Sequence, residues 1–198
     1  EMVFHFADPF LSGGQRQARA LLAGQIWAPL VLQPSLAIDV LGVRFRPGGS
    51  AAFLRFAQHE VAGRVAPLED VWGEGRRWYE RLANATDRVR ELERMLLEMH
   101  PEGVMPPDQL SVRQYRRRFE AAVGIPPKLL YRIHRFQRSL RLMGKAPLAE
   151  VAAASGYYDQ AHLIRDWRQF AGVTPSQWLR DQSHVLFFQD ALDAEGIV

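Results

Sequence analysis

Five side chains between residues 160 and 169 could hydrogen-bond to base edges or phosphates, Gln160, His162, Arg165, Arg168 and Gln169, and the methyl of Ala161 among them could make an apolar contact. Arginine suits such work because its planar fork pairs bidentately with guanine. Helical spacing puts Ala161, His162, Arg165 and Gln169 on one side, with Arg168 on its flank. On the opposite side the apolar residues Leu163, Trp167 and Phe170 recur with the period of a buried helix face. A segment of this kind is either an ordinary solvated helix or one built to read something.

A reading helix must be held rigidly. Just upstream, "LAEVAAAS" reads as a short helix in which Ala152 lets a second helix approach closely. Four residues on, Gly156 can take the positive φ that ends that helix, and Asp159 then caps the next one. This is the grammar of a helix-turn-helix, whose second helix enters a DNA major groove. A second copy lies roughly 50 residues earlier. In "SVRQYRRRFEAAVGIPP", Ser111 caps a helix whose Tyr115 and Phe119 face inward, while Arg113, Gln114 and Arg117 point out beside Arg116. Both copies end alike, in Gly124-Ile-Pro-Pro and in Gly172-Val-Thr-Pro.

Between them, "PKLLYRIHRFQRSLRLM" carries an apolar stripe of Leu129, Ile133, Phe136, Leu140 and Met143, with Arg132, Arg135, Arg138 and Arg141 stepping round it. About 17 residues at ~1.5 Å each make a strut of roughly 26 Å. Successive major-groove faces lie ~34 Å apart, so such a strut could hold two reading helices one helical turn apart. Arg113 and Arg165 are the expected base readers, each bidentate pair discriminating by ~1–3 kcal/mol. Lys128 and the strut arginines are expected to meet phosphate or solvent. His162 serves equally well as a DNA contact or as a side chain that steadies the turn.

Charge supports a polyanionic partner. The net charge is only +3, yet residues 111–180 hold 13 Lys/Arg against 4 Asp/Glu. Residues 1–110 hold 12 against 14, and the last 18 residues hold none against 4. A basic block inside a near-neutral chain is the footprint of a nucleic-acid-binding module. The 198 residues suit one large or two small domains, and 47% hydrophobic residues suffice for packed cores. Cysteine is absent, which excludes disulfides, thiolate metal sites and a cysteine nucleophile. No apolar run reaches the ~20 residues of a membrane span. "EMVFHFADPF" lacks the basic start of a signal peptide, so a cytoplasmic protein without a membrane partner is expected.

Residues 1–73 read as a β-rich domain, with "EMVFHF", "GQIWAPLVLQ" and "LAIDVLGVRFRP" as strands of a small barrel or sandwich. "SAAFLRFAQHEV" (50–61) reads as a helix laid against it, and further strands are expected to precede residue 1. Residues 74–100 form a helical linker in which Val89, Leu92, Leu96 and Met99 share an apolar face, for core packing or for a dimer contact. Residues 101–180 hold the helix-turn-helix units, and 181–198 an acidic tail. The fold class is therefore α+β. Trp27, Phe45 and Phe53 read as core rather than as a ligand cavity, and His5 as structural rather than metal-binding.

The basic block resembles the DNA-binding domain of the AraC/XylS family of bacterial transcription regulators. The residues that carry the likeness are Gly156-Tyr157, Asp159, Ala161-His162-Leu163, Arg165-Asp-Trp167, Gly172-Val-Thr-Pro175 and Trp178. The upstream half matches through Ser111, Arg113, Tyr115, Arg117, Phe119, Gly124, Pro127 and Arg135. "VFHFADPF", "LGVRFRPGG" and "VAPLEDVWG" look like one uncharacterised subgroup of the N-terminal domains that such regulators carry. The resemblance implies a two-headed domain that binds promoter DNA and contacts RNA polymerase. It also implies a sensing or dimerisation domain, often a cupin-like barrel, compatible with a small-molecule effector and a homodimer. One departure stands out. The first unit should have its own scaffold helix with an Ala-x-x-x-Gly step, and the proline-broken "PEGVMPPDQ" cannot supply it. Residues missing between about 100 and 111 are the expected reason, rather than a degenerate unit.

An enzyme is disfavoured, since no nucleophile–base arrangement, phosphate-cradling loop or H-E-x-x-H step occurs. Repair methyltransferases with an AraC-like domain need cysteines that are absent here. No metal and no cofactor are expected. The alternative to a sequence-specific regulator is a non-specific architectural DNA-binding protein, which would need a diffuse basic surface.

Overall fold

The computed structural model describes residues 1–54, 56–99 and 111–181. The acidic tail beyond 181 and the proline-rich break lie outside the described residues. The chain is α+β and divides into two compact units, Glu1–Ile26 with Leu30–Pro127, and Trp27–Pro29 with Lys128–Val198.

In the first unit, β1 (Met2–His5) is the middle of an antiparallel sheet, with β4 (Ala20–Ala23) on one side and β6 (Val40–Val43) on the other. Val3 stands opposite Leu21 and Gly42, and β7 (Val65–Pro67) extends the sheet beyond β4. A second sheet of two-residue strands has β2 (Leu11–Ser12) between β3 (Gln15–Arg16) and β5 (Leu32–Gln33). Among the described residues both sheets are open, and the expected barrel does not form. "GQIWAPLVLQ" contributes only Leu32–Gln33 to a ladder, because Pro29 and Pro34 have no N–H to donate.

The helix expected over 50–61 is broken. α1 (Ser50–Phe53) stops at Leu54, whose backbone is extended and whose side chain is wholly buried, and a 3₁₀ turn follows at Gln58–Glu60. α2 (Leu68–Val71), α3 (Gly75–Ala83) and α4 (Arg88–Glu98) then cover the sheet. Met2, Phe4, Leu22, Leu54, Leu68, Trp78, Leu82, Leu92 and Met95 form their common core. The α4 stripe therefore serves core packing: Leu92 and Met95 are buried, Leu96 and Met99 pack alongside, and Val89 is exposed. Phe45 and Phe53 pack on this core with ring centroids 5.4 Å apart. Trp27 falls with the second unit. His5 is buried edge-on against Phe10, and burial, then the nearby Arg19 charge, lowers its pKa.

α3 and α4 are also joined by charge. Arg81 bonds Glu91 and Glu98, and Arg94 bonds the same two carboxylates. The hydrogen bonds from Arg94, then Arg81, hold the Glu91 carboxyl below its ordinary value. A carboxylate whose folded pKa is depressed stabilises the fold above its unfolded pKa, and that contribution disappears as pH falls through the folded value. Glu91→Gln is accordingly expected to lower the melting temperature at neutral pH and to leave it nearly unchanged at acid pH. Thermal melts from pH 7 down to 3 check this.

α5 (Val112–Val123) belongs to the first unit and packs on α1 and the 3₁₀ turn. It ends on Gly124 at φ 91°, where a Cβ would lie 2.9 Å from the Gln58 carbonyl oxygen. The contact is made by its C-terminal turn. Residues 111–118 are all exposed, and Tyr115, expected to face inward, is 54% exposed. No described residue supplies the scaffold helix that would cover it.

The second unit contains α6 (Pro127–Leu142, from Lys128 on), α7 (Leu148–Ala154), α8 (Gln160–Ala171) and α9 (Pro175–Arg180). Ile133, Phe136, Leu140 and Met143 of the expected stripe are buried, and Leu129 is half-buried. No helix among the described residues is long and apolar enough to cross a membrane.

Candidate nucleic-acid interface

The turn between α7 and α8 is built by the backbone. Gly156, at φ 82°, lets its own N–H reach the Ala153 carbonyl and the Tyr157 N–H reach the Ala152 carbonyl. That paired closure ends a helix through a left-handed residue, which glycine adopts at little cost. Ala152 and Tyr157 are both buried at this turn. Asp159 then accepts from the His162 N–H and caps α8.

α8 has two different faces. Leu163 and Trp167 are wholly buried and Phe170 nearly so. Trp167 packs against Phe136 and Trp178, with centroids 5.3 and 5.6 Å away, and its indole N–H donates to Ser139 Oγ at 2.8 Å. α9, capped by Thr174 and Gln177, brings Trp178 to this contact. On the other face Gln160, Ala161, Arg165, Arg168 and Gln169 are exposed, and His162 is half-buried. Arg165 and Arg168 make no ion pair with a described residue.

Beneath the exposed face lies a polar network whose centre was not among the expected site residues. Asp166 has a side chain only 2% exposed. Its Oδ1 accepts from Arg132 at 2.7 Å and its Oδ2 from Arg135 at 2.8 Å. Arg132 Nη2 also donates to Gln169 Oε1 at 2.6 Å, and Arg135 Nη2 to His162 Nε2 at 2.9 Å. Arg135 lies over the Tyr157 ring at 4.2 Å. Burial first, then the Asp166 charge, pushes the Tyr157 hydroxyl up to about 12. Arg132 and Arg135, expected at phosphate or solvent, are thus bound to Asp166, whose buried charge requires partners. The structure accounts for each carboxylate of the basic block. Of four acidic residues in the basic block, Asp159 is a cap, Glu150 opens α7 and Glu120 pairs with Arg116, which leaves Asp166.

The other expected site residues divide between the units. Arg113, Gln114, Arg116 and Arg117 are exposed on α5, in the first unit, and Lys128 is exposed at the start of α6. Gln114 closes a capping box with Ser111, its Oε1 accepting from the Ser111 N–H at 3.0 Å. Arg116 donates to Glu120 at 3.1 Å. Arg113 and Arg117 carry no ion pair with a described residue, and the neighbouring Arg118, not foreseen as a contact, is equally exposed.

Residues 109–181 match a family described as a helix-turn-helix domain, of the AraC type, and residues 1–67 match a domain of unknown function, DUF6597. No curated protein and no solved structure matches the chain. With α7, its glycine turn and α8 inside the matched span, residues 109–181 form a helix-turn-helix domain of the AraC type, which supports a DNA-binding transcription regulator.

Proposed function

We propose that this regulator binds promoter DNA sequence-specifically, with α8 and α5 as reading helices in two adjacent major grooves. The observation that carries the reading is the division of α8: exposed Gln160, Ala161, Arg165 and Arg168 over a fully buried opposite face. Rigid support lets side chains discriminate bases instead of merely attracting phosphate. For α5 the support is the repeated pattern of an N-cap, exposed arginines and a left-handed terminal glycine. In this reading the first unit is the sensing or dimerisation part, and it admits a small-molecule effector and a homodimer. RNA polymerase is the protein partner, the cytoplasm is the location, and no catalytic residue, metal or cofactor takes part.

Selection of bound duplexes from a random library tests this. The wild type is expected to enrich two blocks about one helical turn apart. Arg165→Ala is expected to lose selection in one block only, weakening the selected site by ~1–3 kcal/mol. One observation favours a second reading for α5. Arg113, Arg116, Arg117 and Arg118 lie on a turn exposed all round, the kind of surface that meets phosphates without reading bases. Enrichment of one block, with the remaining affinity set by salt, would assign α5 to the backbone. Affinity set by salt alone would leave the architectural reading for the whole protein.

A further inference from the structure

On the exposed side of α8, the residues that could present a hydrogen-bond acceptor are His162, Gln169 and Gln160. Two of the three already accept from an arginine, His162 with its one acceptor lone pair and Gln169 with one of the two on its oxygen. Arg132 Nη2 carries two protons, and they go to Asp166 Oδ1 and Gln169 Oε1. Arg135 Nη2 divides its protons in the same way, between Asp166 Oδ2 and His162 Nε2. A guanidinium only donates, so the amide atom and the ring nitrogen that face it are acceptors. The Gln169 amide must turn its oxygen to Arg132, which leaves its NH₂ group. The His162 ring must receive at Nε2, so its proton sits on Nδ1.

Glutamine reads adenine with both amide atoms at once, the oxygen accepting from N6–H and the nitrogen donating to N7. An amide whose oxygen already accepts from Arg132 has its rotation set by that guanidinium and one of the oxygen's two lone pairs taken, so its acceptor side is the weaker partner for a base. Its free NH₂ matches a base edge made only of acceptors, and guanine offers two, N7 and O6. Arg165 and Arg168 are donors as well. Asp166 touches no DNA in this scheme. It is a positioning residue, and the charge that keeps both arginines turned toward α8.

Resting on the reading of α8 as a groove-reading helix, we infer that Arg132 and Arg135, anchored on Asp166, make His162 and Gln169 readers that act chiefly as donors, so that the half-site under α8 is selected for guanine rather than adenine. Gln160 remains as the one amide on this face free to read adenine.

The test is duplex selection with the full-length protein and its Gln169→Ala, His162→Ala, Arg132→Met and Arg132→Lys variants. The position whose preference disappears in Gln169→Ala is expected to carry guanine in the wild type. Arg132→Met releases the Gln169 oxygen, and that position is expected to shift toward adenine by about fivefold or more. Arg132→Lys still donates and is expected to keep guanine. Arg132→Met leaves Asp166 paired with Arg135, so the buried charge is not orphaned, and circular dichroism checks that the variant is folded. Adenine at that position in the wild type would overturn the inference. So would an unchanged preference in folded Arg132→Met, or Gln169→Ala and His162→Ala variants that lower affinity for every sequence alike, the mark of phosphate contacts. Failure of the groove-reading itself looks different, since the wild type then selects no sequence at all.

Discussion

Asp166→Ala is expected to destabilise the second unit by about 3–5 kcal/mol, the cost typical of removing one partner from a buried ion pair. The substitution removes little volume, so the effect is electrostatic. Arg135 is 10% exposed and loses the carboxylate oxygen that it faces, and Arg132 loses two hydrogen bonds to the other. Arg132 is 29% exposed and can turn partly to water, so most of the penalty falls on Arg135. Hydrogen exchange of α6 and α8 amides in native buffer measures this, because it reads the opening of these helices separately from the first unit. A control separates the buried charge from the packing. Replacing Asp166, Arg132 and Arg135 together by apolar residues of similar size should recover most of the loss, since buried ion networks are often no more stable than a well-packed apolar substitute. The triple variant should nonetheless bind DNA less selectively, because Gln169 and His162 would lose the partners that orient them. A change under about 1 kcal/mol in Asp166→Ala would mean that Arg135 reaches solvent once freed, and the network would then lack the role given to it.

What was legible in the sequence is what depends on near neighbours. The caps Ser111 and Asp159, the turn at Gly156 and the buried stripes of α6 and α8 all follow from residues within a few positions of one another. The exposed face of α8 follows from the same periodicity. What escaped depends on distant partners. Asp166 reads as a surface residue until Arg132 and Arg135, 34 and 31 positions away, are brought beside it. Tyr115 has the spacing of a core residue, yet spacing only says which face it shares: Phe119 on that face is half-buried, while Tyr115, its ring 6.1 Å from Phe119, stays 54% exposed. The expected barrel failed for a related reason. Strand composition predicts extended chain, whereas closure needs every edge to find a partner, and β2, β3 and β5 are two residues long. The break at Leu54 was hidden because "SAAFLRFAQHEV" suits a helix locally. Burial of the Leu54 side chain in the sheet's core overrides that preference.

Trp167→Ala should cost about 3–5 kcal/mol, as large-to-small changes of buried aromatic residues do. The indole is wholly buried and is the largest side chain in the core of its unit. Its removal would leave Phe136, Phe170 and Trp178 around a void that α8 can close only by tilting, and tilting would move Arg165. Two weaker changes separate volume from hydrogen bonding. Trp167→Phe keeps most of the ring packing against Phe136 and Trp178 but gives up the N–H donated to Ser139. Ser139→Ala keeps the whole indole and leaves its N–H buried without an acceptor, at ~1–3 kcal/mol. The expected order of loss is Trp167→Ala, then Trp167→Phe, with Ser139→Ala equal to or below it, read as α8 amide protection. DNA selection then distinguishes support from contact. Ser139 lies on the far side of α8 from the exposed arginines, so Ser139→Ala should lower stability and leave the selected sequence unchanged. If that variant altered the selected bases while remaining folded, the buried side of α8 would be tuning the reading side, and rigid support alone would not describe how this helix meets DNA.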